Sequence, residues 1–171
     1  LEPALKIIAA DPSLEEIILS GGDPLVLSER RLEDLLEALD SIPHVHRIRL
    51  HSRVPVVLPE RVDKRLLAVL GRLRARVIVV IHTNHAQELD SSVVMALKDL
   101  ATVTDQILNQ SVLLRGVNDS PESLVALSRT LFAAGVLPYY LHQLDPVSGT
   151  AHFAVSDESA LALIAEVMAQ L

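Results

Sequence analysis

Val77-Ile78-Val79-Val80-Ile81-His82 is a run of five β-branched residues closed by a histidine, and Thr83-Asn84-His85 follow it. β-Branching favours a pleated, packed strand, and continuous apolar character is what a strand of a parallel sheet shows. The run is far shorter than the ~20 residues a bilayer span requires. Four more runs of this kind flank it: Glu16–Leu19, Arg47–His51, Ile107–Leu113 and Leu137–His142. Their centres lie roughly 30 residues apart, the length of one strand–helix unit.

The intervening segments carry apolar residues at three- and four-residue spacing. Leu32, Leu35, Leu36 and Leu39 share one helical face, with Ser28 as N-cap and Pro43 beyond the end. Further helices are predicted over Leu1–Ala10, Glu60–Leu73 and Asp90–Ala101, the last with Val93, Val94, Leu97 and Leu100 inward. Two more start at Ser120-Pro121 and at Ser156-Asp157-Glu158, the first ending at Gly135. Alternating strands and helices define an α/β fold with a parallel sheet. Five units are too few for a closed eightfold barrel, and leave an open sheet or a partial (β/α) barrel. No linker interrupts residues 1–171, so they read as one domain. A start at Leu1 inside a helical pattern, and an end at Leu171 inside another, suggest part of a longer enzyme.

Half of the 171 residues are apolar, which excludes intrinsic disorder. A net charge of −7 argues against nucleic acid as a partner. No apolar run is long enough for a membrane span and the first twenty residues lack a basic leader, so the expected location is cytoplasmic. With no Cys, nucleophilic thiol catalysis is excluded.

Parallel α/β folds bind ligands at the carboxyl ends of their strands. Here those ends read Ser20-Gly21-Gly22-Asp23-Pro24, His51-Ser52-Arg53, His82-Thr83-Asn84-His85 and His142-Gln143-Leu144-Asp145, while Asn109-Gln110-Ser111 lies within the fourth strand and Arg115-Gly116 follows it. The glycine pair suits a tight turn or a close backbone approach to a charged ligand. Arg53 and Arg115 suit a carboxylate or phosphate, and Asp145 suits a substrate ammonium. His51, His82, His85, His142 and Asp145 are also the residue types of a metal-dependent hydrolase or lyase. A catalytically degenerate barrel that binds a ligand is a third reading.

Four blocks carry a resemblance: Ser20-Gly21-Gly22-Asp23-Pro24-Leu25, His51 to Arg61, Asn109 to Asp119, and Pro138 to Asp145. In this order they resemble the lysine 2,3-aminomutase family of radical S-adenosylmethionine enzymes. His51, the Leu141–Asp145 run and Gly149–Phe153 are most similar to the branch that makes (R)-β-lysine for elongation factor P, with the metabolic aminomutases as the near alternative.

The resemblance implies a partial (β/α) barrel of the radical S-adenosylmethionine type, of which residues 1–171 form the central part. It implies an isomerase that moves the amino group of L-lysine from the α- to the β-carbon, and a homo-oligomer. The implied cofactors are a [4Fe–4S] cluster, S-adenosylmethionine and pyridoxal phosphate. Ser20, Gly21, Gly22 and Asp23 match the segment that receives the methionine moiety of S-adenosylmethionine. His82 and Gln110 match positions around its adenosyl part. Asp145 matches the carboxylate that pairs with the lysine ε-ammonium, and Arg53, Asn84 and Arg115 line the site or brace its loops. The family's CxxxCxxC motif and its pyridoxal-phosphate lysine have no counterpart here, so no catalytic or metal-ligating residue is assigned and the 171 residues alone are expected to be inactive. A glycine expected before Asn109 is also lacking between Leu100 and Ile107.

Overall fold

The computed structural model describes residues 2–171. In chain order the elements are α1 (Glu2–Ala10), β1 (Glu16–Leu19), α2 (Glu29–Asp40), β2 (Arg47–Ser52), the short α3 (Val54–Val57), α4 (Lys64–Gly71), β3 (Arg76–His82), α5 (Ser91–Ala101), β4 (Gln106–Val112), α6 (Pro121–Ala133), β5 (Leu137–His142) and α7 (Asp157–Met168). The five strands form one sheet in the order β1-β2-β3-β4-β5, all parallel. Strand order never reverses, as along a barrel wall and unlike a doubly wound sheet.

Register decides what each face carries. Ile48, Leu50, Val77, Val79, Ile81 and Ile107 lie on one face and pack with Leu36 and Leu39 of α2, Leu66 and Leu70 of α4, and Leu97 and Leu100 of α5 in one apolar core. Each such side chain, fully buried, contributes about 1.5–3 kcal/mol. A smaller cluster of Leu113, Leu124, Val125, Leu163 and Val167 joins α6 to α7. The opposite face carries Glu16, Arg49, His51, Val80, His82, Leu108, Gln110, Tyr140 and His142, because side chains alternate along a strand. On it Arg49 donates twice to Glu16 Oε1, from Nε at 2.9 Å and Nη2 at 2.5 Å. This polar second face belongs on a barrel interior.

The structure departs from the sequence reading in three places. The helix predicted over Glu60–Leu73 spans only Lys64–Gly71, because Pro59 starts a separate turn and the Asp63 side chain accepts the Leu66 N–H at 2.8 Å, which fixes the N-cap there. Val54–Val57 adds a helical turn that periodicity could not resolve in four residues. The turn between α5 and β4 needs no glycine: no non-glycine residue has positive φ among the described residues, and the Thr102 and Thr104 hydroxyls close the helix by donating to Asp99 O and Leu100 O. The prediction for Leu1 lies outside the described residues.

Candidate functional site

At the carboxyl ends of β1, β2, β3 and β4, Ser20, Gly22, Asp23, His51, Ser52, Arg53, His82 and Gln110 line a cleft of about 250 Å³. Six of these residues follow or end a strand. Gln110 enters because it shares a face and a register position with His82. Larger hollows, up to about 560 Å³, lie against β5, α6 and α7, but their walls are mostly apolar and gather no comparable set of hydrogen-bonding groups.

The loop after β1 is built to stay open. Gly22 adopts φ +67°, a conformation that disfavours any side chain. A Cβ at Gly21 or Gly22 would meet nothing within 4 Å. The backbone N–H groups of both glycines find no acceptor among the described residues, so the loop offers two donors to open space.

Asp23 does not point its carboxylate at that space. Oδ1 accepts the Leu25 N–H at 3.0 Å and the Ser52 hydroxyl at 2.7 Å, while Oδ2 accepts the Arg53 N–H at 2.7 Å. Ser52 in turn accepts the Val54 N–H at 3.1 Å. One carboxylate therefore bolts the glycine loop to the end of β2.

Behind His82 and Gln110 a second set of hydrogen bonds joins β3 to β4. Asn109 Oδ1 accepts the buried Thr83 N–H at 3.0 Å, its Nδ2 donates to Thr83 O at 3.1 Å, and the Ser111 hydroxyl donates to the same carbonyl at 2.7 Å. Asn118 Nδ2 donates to Asn84 O and to Val112 O, both at 2.9 Å. Thr83 and Asn84, which follow β3, are thus pegged to β4. Strand alternation in Asn109-Gln110-Ser111 carried this arrangement, with one residue facing the cleft and two facing back, but sequence reading singled out only Gln110.

Both histidines of the cleft are shifted toward the neutral form. Burial, then the charge of Arg53, lowers His82 below its ordinary 6.5, against the opposing pull of Asn84 and Glu88. Burial, then Arg49, lowers His51, with Gln110 pulling the other way. His51 Nε2 is buried without a hydrogen-bond partner. Folding therefore disfavours the protonated form of each ring, so both contribute stability that is fully present above pH 6.5 and is lost as pH falls from there through the lower folded-state value. The melting temperature is expected to drop between pH 7 and pH 5, above the range in which carboxylates protonate. His51→Asn with His82→Asn should flatten that drop in a calorimetric pH series.

The remaining sequence candidates lie outside the cleft. Asn84 is a brace: its Oδ1 accepts the Val112 N–H at 2.8 Å. His85 caps a short turn, its Nδ1 accepting the Gln87 N–H at 3.2 Å. Arg115 is exposed and linked through its backbone N–H to Phe153 O. His142 and Asp145 are exposed at and after the end of β5. The metal-hydrolase reading finds no support in this layout, since no group of three His, Cys, Asp or Glu is placed to hold a metal ion among the described residues.

Comparison with known proteins gives homologues over part of their length. No protein-family model matches the chain. The L-lysine 2,3-aminomutase of Escherichia coli (strain K12) is 47% identical over 98% of this chain and 49% of its own length. That of Haemophilus influenzae is 46% identical over 92% of this chain and 47% of its own. That of Buchnera aphidicola subsp. Baizongia pistaciae is 39% identical over 100% and 50%. The chain is a homologue of the L-lysine 2,3-aminomutases. It spans about half the length of the relatives it matches. Two solved structures share its fold at low identity: Streptococcus suis SuiB (TM-score 0.66, 12% identical, covering 99% of this chain and 39% of that one) and a domain of pyruvate-formate lyase-activating enzyme from Bacteroides vulgatus (TM-score 0.59, 13%, 90% and 92%). The α/β fold with its five parallel strands is shared with these two structures. In this lysine 2,3-aminomutase homologue no helix is long and apolar enough to cross a membrane among the described residues.

Proposed function

We propose that this chain forms the S-adenosylmethionine-binding wall of a radical isomerase that converts L-lysine to β-lysine by 2,3-amino migration. The observation that carries the reading is the cleft itself. Gly22 lines it together with His82 and Gln110, and the N–H groups of Gly21 and Gly22 find no acceptor among the described residues.

The cleft fits S-adenosylmethionine. The Gly21 and Gly22 amides offer donors to a ligand carboxylate, as backbone nests do for anions. His82 and Gln110 offer uncharged hydrogen-bonding groups to an adenosyl moiety. Val80 and Leu108 are buried on the same sheet face as His82 and Gln110. S-adenosylmethionine, when reduced, supplies a hydrogen-abstracting adenosyl radical, and the task of these residues is to bind, orient and shield it.

The other implied groups do not fit the residues present. Without Cys the chain offers a [4Fe–4S] cluster no thiolate. None of its lysines reaches the cleft: Lys6 pairs with Glu2 on α1 at 2.8 Å, Lys64 opens α4, and Lys98 lies in the last turn of α5. No step through the cluster or pyridoxal phosphate is assigned to these residues, and the 171-residue chain alone is expected to form no β-lysine.

In the full-length protein we place residues 1–171 in the middle of one domain, with both cofactors held by other segments. The Asp145 carboxylate, without a hydrogen-bond partner among the described residues, would take the lysine ε-ammonium. The protein works in the cytoplasm as a homo-oligomer, and its (R)-β-lysine goes to elongation factor P. The full-length protein, assayed without oxygen with lysine, S-adenosylmethionine, pyridoxal phosphate and a reductant, should yield β-lysine. Binding of S-adenosylmethionine without β-lysine would leave the degenerate binding barrel instead, and metal-dependent hydrolysis without a reductant would replace the reading altogether.

A further inference from the structure

Arg53 stands where three loops meet. Its backbone N–H is fixed by Asp23, and through Asp23 by Ser52 and the Leu25 N–H. Its side chain crosses to β3, with Nε 3.1 Å from His82 Nδ1 and Nη2 3.3 Å from His82 Nε2. Among the described residues no carboxylate lies within ion-pair distance of it, whereas Arg47, Arg49, Arg65 and Arg76 each have one and Arg72 has two. An exposed arginine with access to solvent ordinarily takes a carboxylate or remains free. This one lies across an imidazole instead.

We infer that Arg53 is a positioning residue that fixes the ring of His82 and couples it to the glycine loop, so that both walls of the ligand cleft hold one geometry. The inference rests on the reading of the cleft as an S-adenosylmethionine site. It adds a residue that acts through another. The chain of contacts runs from the Gly21-Gly22 turn through Asp23 to the Arg53 backbone, and then through its guanidinium to His82. A cationic partner also keeps the ring uncharged, in the same direction as its burial. Groups facing His82 from other elements are Glu88 after β3 and His142 on β5, and neither makes a hydrogen bond to the ring.

The test compares Arg53→Met, Arg53→Lys and wild type in the full-length protein, using two readouts. Ring resonances of His82, followed by NMR against pH without ligand, should titrate at higher pH in Arg53→Met. Arg53→Lys keeps the charge and should restore most of that shift. Calorimetric titration with S-adenosylhomocysteine should show at least a tenfold weaker Kd in Arg53→Met. Affinity should also stay low in Arg53→Lys, which lacks the planar contact. Unchanged His82 titration in a folded Arg53→Met, or affinity within twofold of wild type, overturns the inference. Should Arg53→Met not fold, the Arg53→Lys pair of readouts decides alone: wild-type affinity there overturns it. Failure of the wild-type protein to bind S-adenosylhomocysteine is a different result, and counts against the function and not against the contact.

Discussion

Asp23→Ala is expected to lower stability by about 2–4 kcal/mol and to abolish measurable S-adenosylhomocysteine binding. The carboxylate accepts three hydrogen bonds, from Leu25 N–H, Ser52 Oγ and Arg53 N–H. Bonds to an ionised acceptor contribute about 1.5–3 kcal/mol each but do not add, and these donors are only partly shielded from water, so the sum falls short of three full bonds. Asp23→Asn keeps the shape and one acceptor oxygen, and should recover about half of the stability. The family likeness suggests a ligand contact for Asp23; the hydrogen bonds assign it to holding the loop. The two roles separate by experiment. A pure ligand contact would leave urea unfolding unchanged in Asp23→Ala, whereas a brace shifts the midpoint.

Asn109→Ala is expected to cost about 2–4 kcal/mol as well, from a side chain that never faces the cleft. It is 1% exposed and satisfies both the N–H and the carbonyl of Thr83, itself fully buried. Removing it leaves the Thr83 N–H without an acceptor, at about 1–3 kcal/mol, and leaves a small cavity besides. The Thr83 carbonyl keeps its bond from Ser111, which limits the loss. Because Thr83 follows His82 and Asn109 precedes Gln110, both cleft side chains lose their backing together. Ligand affinity should therefore fall several-fold, even at temperatures where the variant is fully folded. Urea unfolding and calorimetric binding on the same preparation check both halves.

Much of the fold was legible because its signals are local. Short β-rich runs at regular spacing mark the five strands, and Pro121 behind Ser120 marks the start of α6. The site was legible to the extent that it sits at strand ends: Ser20, Gly22, Asp23, Arg53, His82 and Gln110 do converge on one cleft. The roles within it were not legible. That Asp23 spends its oxygens on Ser52 and Arg53, and that Arg53 lies on His82, are contacts between residues about thirty positions apart, created by parallel register. Asn109 and Ser111 were passed over for the same reason, since a buried amide in a strand is informative only once its partner in the next strand is known. The limit of Glu60–Leu73 failed differently, where apolar spacing continued through a turn that Pro59 and the Asp63 cap had already closed.

The central claim is that the cleft between the glycine loop and the ends of β3 and β4 is the S-adenosylmethionine site. A crystal structure of the full-length protein grown without oxygen with S-adenosylmethionine tests it most directly. The expected density places the ligand against the Gly21 and Gly22 amides, with its adenosyl group beside His82 and Gln110. Ligand bound elsewhere, with those two amides and His82 facing only solvent, would contradict it.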